Sequence, residues 1–183
     1  MRILAIETSC DETGAAIVEG SAAKTHVALL SNSLASSLSL HAKTGGVIPE
    51  IAAREQLRYI IPVIDRSLKE ANISFSKTKA PDIDAIAVTY GPGLIGSLLV
   101  GVETAKTLSY VWSKPLIPVN HLYGHIYANW LETKDQRPKT ISFPALALVV
   151  SGGHTDLVVI KNMGNSHGLG ERVMMRQGRR LIK

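Results

Sequence analysis

The chain of 183 residues has a single cysteine, Cys10. An intrachain disulfide is excluded, and this usage suits a reducing compartment, so a cytoplasmic location is expected. No run of about 20 apolar residues is free of charges or breakers, which argues against a membrane span. Met1 and Arg2 lead directly into an apolar strand pattern, with no signal peptide or arginine-rich transit segment expected ahead of it. Several catalytic signatures are also missing. Neither the G-x-x-x-x-G-K-[ST] phosphate loop, nor H-E-x-x-H, nor G-x-S-x-G occurs. P-loop hydrolysis, zincin-type proteolysis and α/β-hydrolase chemistry therefore have no motif to rest on.

The net charge of +5 is not a nucleic-acid signal for the body of the chain. The last 19 residues hold Arg172, Arg176, Arg179, Arg180 and Lys183 against Glu171, so this tail carries four of the five charges. With 45% hydrophobic residues, the chain is long enough for one sizeable core, or for one domain and part of another.

Apolar runs and breakers alternate along the sequence. Residues 3–7 read as a buried strand, 8–13 as a polar turn, 14–18 as a second strand and 25–33 as a third. Pro49 suits the first turn of a helix whose apolar positions include Ile51, Ala52, Leu57, Ile60, Ile61 and Ile64. Pro62 is expected to kink or divide that helix. Residues 84–90 read as a buried strand, a helix runs from near Leu94 to about Trp112, residues 115–119 are a short strand and 122–131 a helix. Such alternation predicts an α/β fold with a mixed sheet. Residues 145–150, 151–155 and 157–160 then repeat the opening order of strand, polar turn and strand, which points to a duplicated domain. Two turns rich in Gly, Ser and Thr facing across a cleft would present hydroxyls and N–H groups to a nucleotide phosphate.

Asn120-His121-Leu122-Tyr123-Gly124-His125 carries the most chemistry. Residues at i and i+4 share a helix face, and two imidazoles so placed can hold one divalent metal; a pair of polar residues on a wet helix face is the plainer alternative. Gly91-Pro92-Gly93-Leu94-Ile95-Gly96 fits G-x-G-x-x-G, but it is not on the first strand. Proline removes an N–H at its second position, and no acid lies between Glu103 and Glu132. A tight turn with close helix–sheet packing is the expected role.

Five segments occur in one order: Glu7-Thr8-Ser9-Cys10-Asp11-Glu12-Thr13, Gly45-Gly46-Val47-Ile48-Pro49-Glu50, Gly91-Pro92-Gly93-Leu94, the histidine segment, and Ser151-Gly152-Gly153-His154-Thr155. Together they closely resemble the TsaD/Gcp family of tRNA threonylcarbamoyladenosine synthases, over about residues 1–163. The resemblance implies an actin/hexokinase-like (ASKHA) fold with two related subdomains. It implies transfer of threonylcarbamoyl from threonylcarbamoyl-AMP to the exocyclic amine of the adenosine beside the anticodon, in tRNAs reading ANN codons. By that match His121 and His125 are ligands of one iron or zinc ion, and Val149, Val150, Ser151, Gly152 and Gly153 touch substrate. Asp11 and Glu12 match acids near the cleft and are the catalytic candidates. Implied partners are tRNA, a paralogous actin-like subunit and a small ATPase.

The expected organisation is an actin-like subdomain over residues 1–140, the first hairpin of a second subdomain over 141–164, and a basic tail over 165–183 that departs from the family. The tail is read as a frameshift. One choice of codons for residues 172–182, read in a shifted frame, gives R-D-D-A-A-G-E-A-F-D, close to the family segment D-D-A-x-G-E-A-F-D-K. The third, acidic metal ligand is implied to lie beyond this chain. The expectation is thus an N-terminal fragment with little or no transferase activity, able to fold as one subdomain and to form a homodimer through surfaces the remainder would cover. A non-catalytic partner subunit of the same complex is the main alternative, though such subunits lack the histidine pair. A metalloprotease and a sugar or acetate kinase are further alternatives.

Overall fold

Leu4 and Ile6, alternating with less buried neighbours in Arg2–Glu7, are 0% and 2% exposed. They anchor the first strand, β1 (Arg2–Glu7), in a computed structural model that describes residues 1–21, 27–42, 45–76, 78–133, 142–150, 155–161 and 169–174. Strands β2 (Glu12–Glu19) and β3 (Val27–Ser36) follow as antiparallel neighbours. A short helix, α1 (Leu38–His41), precedes the long helix α2 (Pro49–Glu70). Next come β4 (Ala85–Gly91), α3 (Ile95–Trp112), β5 (Leu116–Asn120) and α4 (His121–Tyr127). A 3-10 turn (Ala128–Trp130) and β6 (Leu131–Glu132) close this part.

The six strands form one mixed sheet in the order β5-β4-β1-β2-β3-β6. β1, β4 and β5 run parallel, as do β3 and β6. β4 lies between two parallel neighbours, and its first five residues are all buried. That is why its sequence reads as a continuous apolar run rather than an alternation. Helices α2 and α3 pack against each other and on these strands. Ile60, Val63, Ile64 and Leu68 of α2 join Leu4, Ile17, Ile83 and Ile86 in the core. Each such side chain contributes about 1.5–3 kcal/mol by leaving water.

Pro49 occupies the first turn of α2 as expected, but Pro62 does not divide the helix, which is assigned without a break to Glu70. Proline removes one N–H, and the buried residues on either side of it hold both segments to the sheet. The histidine helix is shorter than the expected 122–131. It begins at His121, ends at Tyr127 and tightens into the 3-10 turn.

A second, three-stranded antiparallel sheet contains β7 (Ala145–Val150), β8 (Thr155–Ile160) and β9 (Leu169–Met174) in that order. β9 comes from the basic tail. The β7–β8 hairpin pairs Ala145 with Ile160 through Val150 with Thr155, much as β1–β2 pairs Arg2 with Glu19 through Glu7 with Gly14. Ile126 of α4 packs with Val158 and Ile160, bordered by Trp130, Phe143, Ala145, Ala147 and Val149. The histidine helix thus rests on this hairpin. No helix among the described residues is long and apolar enough to cross a membrane.

Candidate metal and substrate site

β1 ends in a carboxylate, Glu7, and the chain turns through residues 8–11 into β2. Four neighbours fix that turn. The Thr8 hydroxyl donates to Ser97 O at 2.8 Å, and Ser97 Oγ donates to Cys10 O at 2.9 Å. Gln56, 1% exposed, donates from Nε2 to Cys10 O at 2.9 Å and to Glu12 O at 3.1 Å. Leu94 N donates to Ser9 O at 2.7 Å, and Ser37 Oγ to Asp11 O at 2.7 Å.

Two glycines allow helix α3 to sit this close. A Cβ on Gly93 would fall 2.5 Å from Ser9 O, and one on Gly101 would fall 2.3 Å from Thr8 Oγ1. This is the close-packing role expected for the G-x-G-x-x-G look-alike.

The turn brings Glu7 and Ser9 beneath the histidines. Nδ1 of His121 lies 3.2 Å from Glu7 Oε2 and 3.2 Å from Ser9 Oγ. Ser9 N donates to Glu7 Oε1 at 2.5 Å, and the Thr89 hydroxyl donates to Glu7 Oε2. Burial pushes the Glu7 carboxyl up, but bonds from His121, Ser9 and Thr89 outweigh it and hold the group down to about 2. Glu7 is therefore an anion at neutral pH.

On the other side of the ring, His121 Nε2 lies 3.1 Å from His125 Nε2, with the ring planes at 83°. Two nitrogens each about 2.0–2.1 Å from a shared cation stand about 2.9–3.4 Å apart at tetrahedral or octahedral angles. The pair fits one divalent ion. Among the described residues no third histidine, cysteine, aspartate or glutamate completes a set of three.

The structure thus brings His121 and His125 together. Asp11 is half-buried and Glu12 is exposed at the start of β2, and the carboxylate that reaches His121 is Glu7. Sequence reasoning missed Glu7; the available signal was a charged residue closing an otherwise apolar strand. The first turn also differs from an open phosphate cradle, because the Thr8 hydroxyl, the Ser9 N–H and the Ser9 hydroxyl all have partners within the protein. Val149 lines the small core under α4, whereas Val150 is 68% exposed. Ser151, Gly152 and Gly153 lie outside the described residues. Cys10 is exposed; partial burial and the neighbouring Asp11 push its thiol above the usual range.

A mixed sheet opened by an antiparallel hairpin and backed by two helices defines an α/β protein of the actin/hexokinase-like class. Its fold is similar to that of YeaZ from Pseudomonas aeruginosa, with a TM-score of 0.54 at 15% identity, covering 100% of this chain and 73% of that one. The chain belongs to the TsaD family, tRNA N6-adenosine threonylcarbamoyltransferase, whose model matches residues 28–183. It is 53% identical over 167 residues to the tRNA N6-adenosine threonylcarbamoyltransferase of Thermomicrobium roseum, covering 90% of this chain and 43% of that protein. The relative of the same name from Clostridium kluyveri is 50% identical over 171 residues, covering 93% of this chain and 46% of that protein. The chain therefore spans about half the length of the curated relatives it matches.

Proposed function

We propose that this chain carries the paired-histidine part of a threonylcarbamoyl transfer site acting on tRNA. The observation that supports it is the 3.1 Å approach of His121 Nε2 to His125 Nε2 in a member of this family. The donor is threonylcarbamoyl-AMP. The acceptor is the exocyclic amine of the adenosine next to the anticodon in tRNAs reading ANN codons. A new C–N bond forms between the acyl carbon and that amine, the acyl–phosphate bond breaks, AMP leaves and the amine gives up a proton.

A divalent iron or zinc ion held by His121 and His125 would supply Lewis-acid polarisation of an acyl or phosphate oxygen. Val149 and Val150, with Ser151, Gly152 and Gly153, form the segment proposed to hold the acyl-adenylate; glycine N–H groups there suit a developing oxyanion. Asp11 and Glu12 are the carboxylates proposed to act near the amine. The third, acidic metal ligand is assigned to the part of the longer relatives that this chain does not match. Two histidines alone bind metal weakly, so the chain alone is expected to have little transferase activity.

Exposed apolar residues on α2 and α3, among them Leu57, Ile61, Ile95 and Leu99, favour association with the paralogous actin-like subunit, the small ATPase acting with it, or a second copy of the chain.

The test supplies threonylcarbamoyl-AMP and an ANN-reading tRNA to the full-length Clostridium kluyveri relative with its partner subunits, and measures modified adenosine by mass spectrometry. Replacing both histidines at the positions matching His121 and His125 should abolish the product. Undiminished modification would overturn the assignment. The 183-residue chain in the same assay should give little product.

A further inference from the structure

We infer that Glu7 is a positioning residue that sets the tautomer of His121, so that its Nε2 lone pair points at His125. The inference concerns the same site as the proposed function but does not need the metal to be present.

The argument begins with which groups can donate. Nδ1 of His121 has two partners, Glu7 Oε2 and Ser9 Oγ, each at 3.2 Å. A hydroxyl can donate or accept, so Ser9 is compatible with either tautomer. An ionised carboxylate only accepts. Glu7 thereby requires the proton on Nδ1, and in the neutral imidazole this leaves Nε2 as an acceptor.

Glu7 is itself held from two directions. The Ser9 N–H donates to one of its oxygens and the Thr89 hydroxyl to the other. Thr89 is on β4 and Glu7 on β1, two adjacent parallel strands at the middle of the sheet, so the carboxylate has little freedom to turn away. The consequence continues to the second histidine. His125 Nε2 lies 3.1 Å from His121 Nε2, and two lone pairs would repel at that distance. Without metal, His125 Nε2 therefore carries the proton and donates it to His121. A cation held between the rings would take the place of that proton, with His125 protonated on Nδ1 instead by exchange with solvent. Histidines that bind metals commonly give their second N–H to a carboxylate, which fixes the ring and raises its basicity. Glu7, fixed by the sheet, stands where that outer partner would be.

The experiment uses the 183-residue chain, metal-free and labelled with 15N-histidine, with ring nitrogens read by long-range 1H–15N correlation. In the unsubstituted protein His121 should be the Nδ1–H tautomer and His125 the Nε2–H tautomer. In Glu7→Ala, His121 should move toward the mixture of a free imidazole; Glu7→Gln, whose amide oxygen still accepts, should largely keep Nδ1–H. Zinc titration by calorimetry should show affinity falling about 10–100-fold in Glu7→Ala and less in Glu7→Gln. An Nε2–H tautomer at His121 in the unsubstituted protein would overturn the inference without recourse to any variant. So would an unchanged tautomer in a folded Glu7→Ala protein. If the Nδ1–H tautomer is found but zinc does not bind, the positioning role stands and the metal reading falls.

Discussion

Gly93 and Ser9 meet so closely that a single added carbon on the glycine would lie 2.5 Å from Ser9 O and 2.9 Å from Ser9 Cβ. This contact seats the start of α3 on the turn that presents Glu7 and Ser9 to His121. Gly93→Ala must push backbone against backbone, and a loss of about 1–3 kcal/mol is expected. Gly96→Ala is the control, because its Cβ would meet only Ala53 Cβ at 3.4 Å. Urea unfolding of the two variants should separate them; equal midpoints would show that the contact does not constrain the turn.

Metal binding should depend on both imidazoles, and folding on His121 more than on His125. His121→Ala and His125→Ala are each expected to weaken zinc binding by more than about 100-fold, since losing a ligand costs more than losing the group behind it. Thermal unfolding of metal-free His125→Ala should change little, because that ring is exposed, whereas His121→Ala also strips Glu7 and Ser9 of a partner and should melt at a lower temperature. Calorimetric titration with zinc, alongside thermal melts, checks both halves.

Gln56 acts as a clamp from inside the core. Its Nε2 satisfies the carbonyls of Cys10 and Glu12, and Gln56→Leu keeps the bulk while removing the donor. A loss of about 0.5–1.5 kcal/mol is expected, because Glu12 O loses this donor while Cys10 O keeps the Ser97 hydroxyl. Local opening of the turn should follow, visible as faster amide exchange near residues 9–12. Unaltered exchange and stability would mean that Ser97 and Leu94 hold the turn without it.

Cys10 is exposed but not activated. Partial burial, reinforced by the carboxylate of Asp11, raises its thiol pKa, so less thiolate is present at pH 7 than for a free cysteine. Alkylation by iodoacetamide should be slower than for a model thiol at pH 7, and the half-maximal rate should come at a higher pH. Asp11→Asn should move that profile back toward lower pH. A Cys10 faster than the model thiol at neutral pH would contradict the raised value.

Much of the fold was legible because its signals are local. Uniform apolarity in residues 85–88 marks a strand covered on both faces, and Pro49 marks a helix start. The i, i+4 spacing of His121 and His125 puts two rings on one face by helical geometry alone. Where local signals competed with packing, packing prevailed. Pro62 reads as a breaker, yet α2 continues because Ile60, Val63, Ile64 and Leu68 are buried on either side of it. Glu7, outside the Asp11–Glu12 pair that the family resemblance singles out, is the carboxylate that reaches His121.

Residue pattern alone sets the α/β class and places His121 and His125 at i and i+4, and five ordered segments carry the family resemblance. Which carboxylate reaches His121 is set by strand packing instead. Glu7 and His121 are 114 residues apart in the chain; they meet because β1, β4 and β5 align in parallel and bring the ends of β1 and β5 to the same edge of the sheet. No local pattern encodes that meeting, because it depends on strand order and on two glycines that let a helix pack against a turn.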